Sequence, residues 1–103
     1  MLADPDHFAI IAERDGQPIG FAMAQYSEGY VFACFVRPEG EGRGVGKRLL
    51  KSVEAKLREA GVSRAWLSTD ANPDFRARGF YRHLGWVDAG CLENGEIKLV
   101  KDL

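Results

Sequence analysis

The chain has 103 residues, of which 46% are hydrophobic, 28% charged and 11% aromatic, with a formal net charge of −1. This is one domain's length of chain with the composition of a globular protein, and no apolar run approaches the roughly 20 residues a membrane helix needs. The near-neutral balance gives no general attraction to nucleic acid or anionic lipid. Two cysteines, Cys34 and Cys91, are too few for a disulfide scaffold and point to a reducing cytoplasm.

Phe8–Glu13 and Pro18–Tyr26 are apolar stretches around Arg14-Asp15-Gly16-Gln17, and Asp-Gly between such runs predicts an antiparallel hairpin. Ser27-Glu28-Gly29 is a second turn. Tyr30–Val36 is apolar without alternation, the pattern of a strand covered on both faces, and Arg37-Pro38 ends it. The period then changes. Leu49, Leu50, Val53, Leu57 and Ala60 fall on one helical face, with Lys51, Glu54 and Arg58 toward solvent, and Gly61 ends the helix. Ala65–Ser68 reads as a short strand reached by a right-handed parallel crossover. Asn72 suits an N-cap and Pro73 the first position of a second helix. Ala77, Phe80, Tyr81 and Leu84 form its apolar stripe, and Gly85 closes it. Trp86-Val87 and Glu96–Lys101 are closing strands around Glu93-Asn94-Gly95. The fold class is α/β (α+β mixed): one domain, a mixed, largely antiparallel sheet of about six strands, and two flanking helices.

The most informative segment is Pro38-Glu39-Gly40-Glu41-Gly42-Arg43-Gly44-Val45-Gly46-Lys47-Arg48, a buried strand's exit into a turn with four glycines and then a helix. Glycines let a ligand approach the backbone, and unpaired N–H groups at the helix start point at it with the positive end of the dipole behind them. Arg43, Lys47 and Arg48 add positive charge, so an anionic, phosphate-bearing ligand is expected. A P-loop is excluded, since Glu41 and Arg48 stand where it needs Gly and Ser or Thr. The dinucleotide fingerprint fails as well, with Lys47 in place of its third glycine.

From Val36-x-Pro38 through Leu50 the sequence resembles the pyrophosphate-binding motif of the GNAT superfamily of acyl-CoA-dependent N-acetyltransferases. Glu41-Gly42-Arg43-Gly44-Val45-Gly46 is the motif core, with Glu41 where the family has Gln or Arg. Asn72…Ala77…Phe80-Tyr81-x-x-Leu84-Gly85-Trp86 is similar to a later motif of that family, with two extra residues between Asn72 and Tyr81. The two motifs stand in the family's order, and the resemblance covers nearly the whole chain.

The resemblance implies acetyl transfer from acetyl-CoA to a primary amine by direct attack in a ternary complex, with no metal. It places the pyrophosphate on the N–H groups of Arg43, Gly44, Gly46 and Lys47 within the segment Glu41 to Arg48, with Asn72 also near the cofactor. Backbone groups around Phe35, Val36 and Arg37 would pair with the pantetheine arm and polarise the acetyl carbonyl. Tyr81 would be the general acid toward the departing thiolate; periodicity alone reads it as a core residue beside Phe80 and Leu84. The general base has no obvious owner: Tyr30–Val36 carries no glutamate, and Glu28, Asp70, His7 and His83 are the candidates. Cys34 reads as a packing residue. Arg76–Arg82 would hold the adenosine 3′-phosphate or form a solvated helix face. Family members carry a strand and helices before the hairpin that line the acceptor pocket, and these are reduced here. A minimal member, an upstream start or a partner subunit would account for that, and a homodimer is expected from the uncovered sheet. The competing reading is a non-catalytic acyl-CoA-binding module.

Overall fold

In the computed structural model, which describes residues 5–38, 42–72 and 76–103, the Asp15-Gly16 pair makes the predicted hairpin. Their φ values of 54° and 79° are both left-handed, as a type I′ turn requires. The turn joins β1 (His7–Arg14) to β2 (Gln17–Gln25), and β3 (Tyr30–Val36) continues the antiparallel order. Helix α1 (Val45–Glu59) then crosses over to β4 (Arg64–Thr69), which runs parallel to β3. Helix α2 (Ala77–His83) leads to β5 (Val87–Cys91) and β6 (Ile97–Asp102), and β6 inserts between β4 and β5. The sheet order is β1-β2-β3-β4-β6-β5. Six strands, one parallel junction and two helices match the expected class.

Helix α2 starts later than its sequence suggests. Its N-cap is Arg76, not Asn72. The Asp70 carboxylate takes the Asn72 N–H at 2.8 Å, a local turn that competes with helix initiation. Pro73 lies outside the described residues.

Both helices lie on one face of the sheet. Leu49, Leu50, Val53 and Leu57 of α1 pack with Ala22, Ala24 and Val31 of β2 and β3 in a core that also holds Ala65, Leu67, Trp86 and Leu99. Ala60 departs from the predicted stripe: it is the C-cap and exposed, because the chain turns away at Gly61, whose φ is 88°. Glu54 departs in the other direction. It is only 3% exposed, and Lys101 of β6 meets its Oε1 at 3.0 Å. The same Lys101 Nζ donates to the Leu84 carbonyl at 2.8 Å, so one ammonium ties α1, the end of α2 and the sheet together.

Among the described residues, no element covers the opposite face. Phe35 is 50% exposed and Ile11 60%, and Phe21 and Phe32 stand open beside them. The expectation that β3 is covered on both faces therefore fails. Its unbroken apolar run reflects one face packed under α1 and another lined with aromatic rings.

Candidate active site

Strand β3 is in register with β2 from Tyr30↔Gln25 to Val36↔Gly20, yet pairs with β4 at Tyr30↔Trp66 alone. The two strands meet where the Trp66 N–H reaches the Gly29 carbonyl at 2.9 Å and the Tyr30 and Trp66 rings stack 4.1 Å apart. Beyond that rung they part. A bulge helps: Ala24 faces Val31 while Met23 faces Ala33, which leaves Phe32 as an extra residue in β3. The result is a cleft of about 340 Å³ within the sheet, lined by Val31, Phe32, Ala33, Cys34, Phe35, Leu67, Ser68 and Tyr81.

The cleft leaves backbone groups to be satisfied. Arg37 donates its N–H to Ile19 at 2.8 Å. By the alternation of an antiparallel pair, Phe35 and Arg37 turn their backbone groups toward β2, and Cys34 and Val36 turn theirs toward the cleft. Of the three residues expected to meet a pantetheine arm, Val36 thus offers its backbone, Phe35 offers a side chain at the cleft wall, and Arg37 has its N–H committed elsewhere. Peptide groups lining a cleft can pair with water or with a ligand that carries amides of its own.

Tyr81 enters the cleft from the helix face. Its ring lies 5.4 Å from that of Phe80 and 6.3 Å from that of Trp86, and its carbonyl accepts the Leu84 and Trp86 N–H groups. Burial, and next the neighbouring Cys34, push its phenol up to about 12. The group is a proton donor at every physiological pH. Burial also pushes the Cys34 thiol up, so it stays protonated and serves as packing.

The glycine turn lies at the end of β3. Gly42 and Gly44 have φ of 78° and 76°, and a Cβ on either would meet nothing within 4 Å. The sign of φ demands glycine there, and open space lies alongside. Gly44 caps α1 without a side-chain hydrogen bond, and no acidic residue occupies the first turn. The Arg48 N–H closes the first helical bond on the Gly44 carbonyl at 3.0 Å, so the N–H groups of Val45, Gly46 and Lys47 have no acceptor within the helix. Arg43, Lys47 and Arg48 are exposed around them. Gly46 has a second reason to be glycine: a Cβ would come within 3.1 Å of Phe80 Cζ, the point where α2 crosses α1. Glu41 lies outside the described residues.

Other predicted groups have different employment. Arg78 and Arg82 each reach the Asp88 carboxylate at 2.7 Å, fixing α2 to β5 in place of an open phosphate site. Asn72 is exposed and does not line the cleft. Nor do the base candidates: Glu28 and His83 are exposed, Asp70 holds the Asn72 N–H, and the His7 ring lies 5.4 Å from that of Phe32. The polar group that sequence reading passed over is Ser68. It lines the cleft and donates its Oγ–H to Glu96 Oε1 at 2.7 Å. Alternation along β4 places Ser68 beside Trp66 on the bare face; only the β4–β6 register brings Glu96 to it.

Comparison with known proteins identifies the family and the fold. The family described as "Acetyltransferase (GNAT) family" matches residues 1–86. The chain is 37% identical over 93 residues to an IAA acetyltransferase of Azospirillum brasilense, covering 86% of this chain and 60% of that protein. It is 30% identical over 101 residues to an acetyltransferase of Pectobacterium atrosepticum, covering 96% and 70%. Among solved structures, the paia N-acetyltransferase of Thermoplasma acidophilum in complex with coenzyme A superposes with a TM-score of 0.87 at 19% identity. That match covers 95% of this chain and 62% of the other. The chain thus spans about three-fifths of the length of the first of these relatives.

Proposed function

The chain belongs to the GNAT acetyltransferase family, and on that premise we propose that it moves an acetyl group from acetyl-CoA to a primary amine by direct attack in a ternary complex. The observation that carries this reading is the pairing of a cleft between β3 and β4 with a glycine turn that follows β3 and caps α1. Coenzyme A fits that layout in both of its parts. The free N–H groups of Val45, Gly46 and Lys47, with Arg43 and Arg48 beside them, suit a pyrophosphate. The inward peptide groups of Cys34 and Val36 suit an amide-bearing arm.

Bound acetyl-CoA would supply an acetyl thioester at the cleft. The chain's own contributions are then orientation, an apolar lining from Phe32, Phe35 and Leu67, and control of protons. Fixed β3 peptide dipoles would stabilise the carbonyl oxygen as charge develops on it. Tyr81 would give a hydrogen bond, and finally its proton, to the sulfur. A phenol held at about 12 faces a thiol whose ordinary value is near 8.5, so full transfer is uphill and the hydrogen bond to sulfur comes before it. The two free cysteines, Cys34 and Cys91, support a cytoplasmic setting. The open sheet edge at β1 supports self-association as a homodimer, which sedimentation at tens of micromolar protein would register.

Calorimetric titration with acetyl-CoA, followed by amine-dependent release of free CoA, tests the reading. Saturable binding with release is expected. Binding without release for any amine would leave the non-catalytic acyl-CoA module in its place.

A further inference from the structure

We propose that Ser68 takes the proton from the acceptor amine and passes its own to Glu96, and that the acceptor therefore reaches the cleft from the bare face of the sheet. The inference rests on the acetyl-transfer reading above and supplies the proton path that reading lacks.

Three described residues lining the cleft carry a side-chain O–H or S–H: Cys34, Ser68 and Tyr81. Only for Ser68 is a carboxylate the acceptor. Its Oγ–H points to Glu96 Oε1 at 2.7 Å, which leaves the oxygen's lone pairs for an incoming N–H. The faces follow from alternation. Ala65 and Leu67 are buried under the helices, so Trp66 and Ser68 project to the other side. Ser68 pairs with Lys98 and Thr69 with Ile97, which sets Glu96 just beyond the start of β6 in the row of Lys98. Lys98 Nζ lies 5.1 Å from the Trp66 ring centroid, so that row stands on the bare face as well. Tyr81 approaches from the helix face. The two proton-handling groups thus enter one cleft from opposite sides, one suited to the leaving sulfur and one to the arriving nitrogen.

Glu96 is held for this task. Its N–H donates to Asn94 Oδ1 at 2.9 Å and its carbonyl accepts the Leu92 N–H at 2.8 Å, so the turn fixes the residue on both sides. Both Ser68 and Glu96 are half-buried, which leaves Glu96 a route to solvent.

The step balances as follows. Ser68 Oγ accepts a proton from the ammonium while its own hydrogen moves to Glu96 Oε1. The carboxylate becomes a carboxylic acid, and the amine is left neutral with its lone pair free. As nitrogen forms the bond to the acetyl carbon, the carbon–sulfur bond breaks and its electron pair leaves on sulfur, where Tyr81 delivers a proton. Glu96 releases its proton to solvent, the second amine proton follows the same path, and the Tyr81 phenolate regains a proton from solvent as CoA leaves. An alkylamine of pKa about 10.4 is only about one part in 2,500 neutral at pH 7, so the path decides the rate.

The test compares an alkylamine with an O-alkylhydroxylamine, which is largely neutral at pH 7, in the wild-type chain and in Glu96→Gln, Ser68→Ala and Ser68→Thr. Glu96→Gln and Ser68→Ala should lower kcat for the alkylamine by about a hundredfold and for the neutral amine by less than about fivefold. Ser68→Thr, which restores the hydroxyl, should bring the alkylamine rate to within about fivefold of wild type. The acetyl-CoA Kd by calorimetry should stay within about twofold throughout. Equal losses with both amines, no loss with either, or failure of threonine to rescue would overturn the proposal. A wild-type chain that binds acetyl-CoA yet releases no CoA with either amine would overturn the transfer reading, and this proposal with it.

Discussion

Lys101→Met removes the ammonium that joins α1, α2 and β6 while keeping an unbranched side chain of similar length. Glu54 then holds a carboxylate at 3% exposure whose Oε1 has lost Lys101 and whose Oε2 has no partner in the structure. Breaking one side of a buried pair costs about 3–5 kcal/mol. The Leu84 carbonyl, which accepts from the same Nζ at 2.8 Å, loses a further ~1 kcal/mol. A total of about 5 kcal/mol is a large share of the roughly 5–15 kcal/mol that a domain of this kind has. It corresponds to a fall in Tm of about 20–40 °C. The double variant Glu54→Met with Lys101→Met should recover most of that loss, since apolar residues of similar volume often replace a buried pair without cost. Urea denaturation at pH 7, followed by far-ultraviolet circular dichroism, measures all three chains. A single variant that loses less than about 1 kcal/mol, or a double variant no better than the single, would refute the reasoning. Leu84 and Trp86 both donate to the Tyr81 carbonyl, so at temperatures where the single variant is folded its turnover should fall as well.

Tyr81→Phe should lower amine-dependent CoA release by about a hundredfold with acetyl-CoA affinity retained, as measured by calorimetry. Because burial holds that phenol up at about 12, its acid form persists well above neutrality. A kcat profile should then show no basic limb from Tyr81 up to about pH 10, and a limb near 8–9 that vanishes in Tyr81→Phe would contradict the burial argument. Gly44→Ala forces a side chain into φ 76°, which should cost about 1–2 kcal/mol in urea and weaken acetyl-CoA binding by about tenfold. Asp88 is held below the usual carboxylate range by its hydrogen bonds from Arg82 and then Arg78. Its contribution is therefore present above the unfolded value near 3.9 and is lost as pH falls through the lower folded value. Thermal melts of Asp88→Asn against wild type should differ at pH 7 and converge in strong acid.

What could be read in the sequence was what is encoded locally. Asp15-Gly16 set the hairpin, the 3.6-residue spacing of Leu49, Leu50, Val53 and Leu57 set the packed face of α1, and the glycines at 42 and 44 marked backbone that only glycine adopts without strain. The family resemblance carried on Val36 to Leu50 and on Asn72 to Trp86 agreed with the fold and with the family match. The rest depends on partners distant in sequence. Glu54 looked like a solvated helix position because its counter-ion is Lys101, 47 residues downstream. Asn72 looked like a cap because nothing in its own type reveals that Asp70 has already taken its N–H. Phe32 and Phe35 looked buried because an apolar string does not say whether a second layer exists. The cleft itself follows from a register, Tyr30↔Trp66 and no further pair in β3 and β4, and registers between parallel strands separated by a helix leave no local mark. Ser68 and Glu96 stayed unnoticed for the same reason.

That lone rung divides the sheet into two cooperative units, β1-β2-β3 and β4-β6-β5, coupled through Tyr30–Trp66 and the helix layer. Main-chain pairing extends along each unit, broken by a bulge in β1–β2, β2–β3 and β5–β6, so a small scissoring of one unit against the other is the expected weak mode. Amide exchange would report it directly: the inward amides of Cys34 and Val36 would exchange ahead of those shared between β2 and β3. A ligand bridging the two units would add the missing rungs and slow both amides together. Ligand affinity and the stiffness of the whole sheet would then be one quantity measured in two ways, and each substitution that loosens the junction would be felt in both.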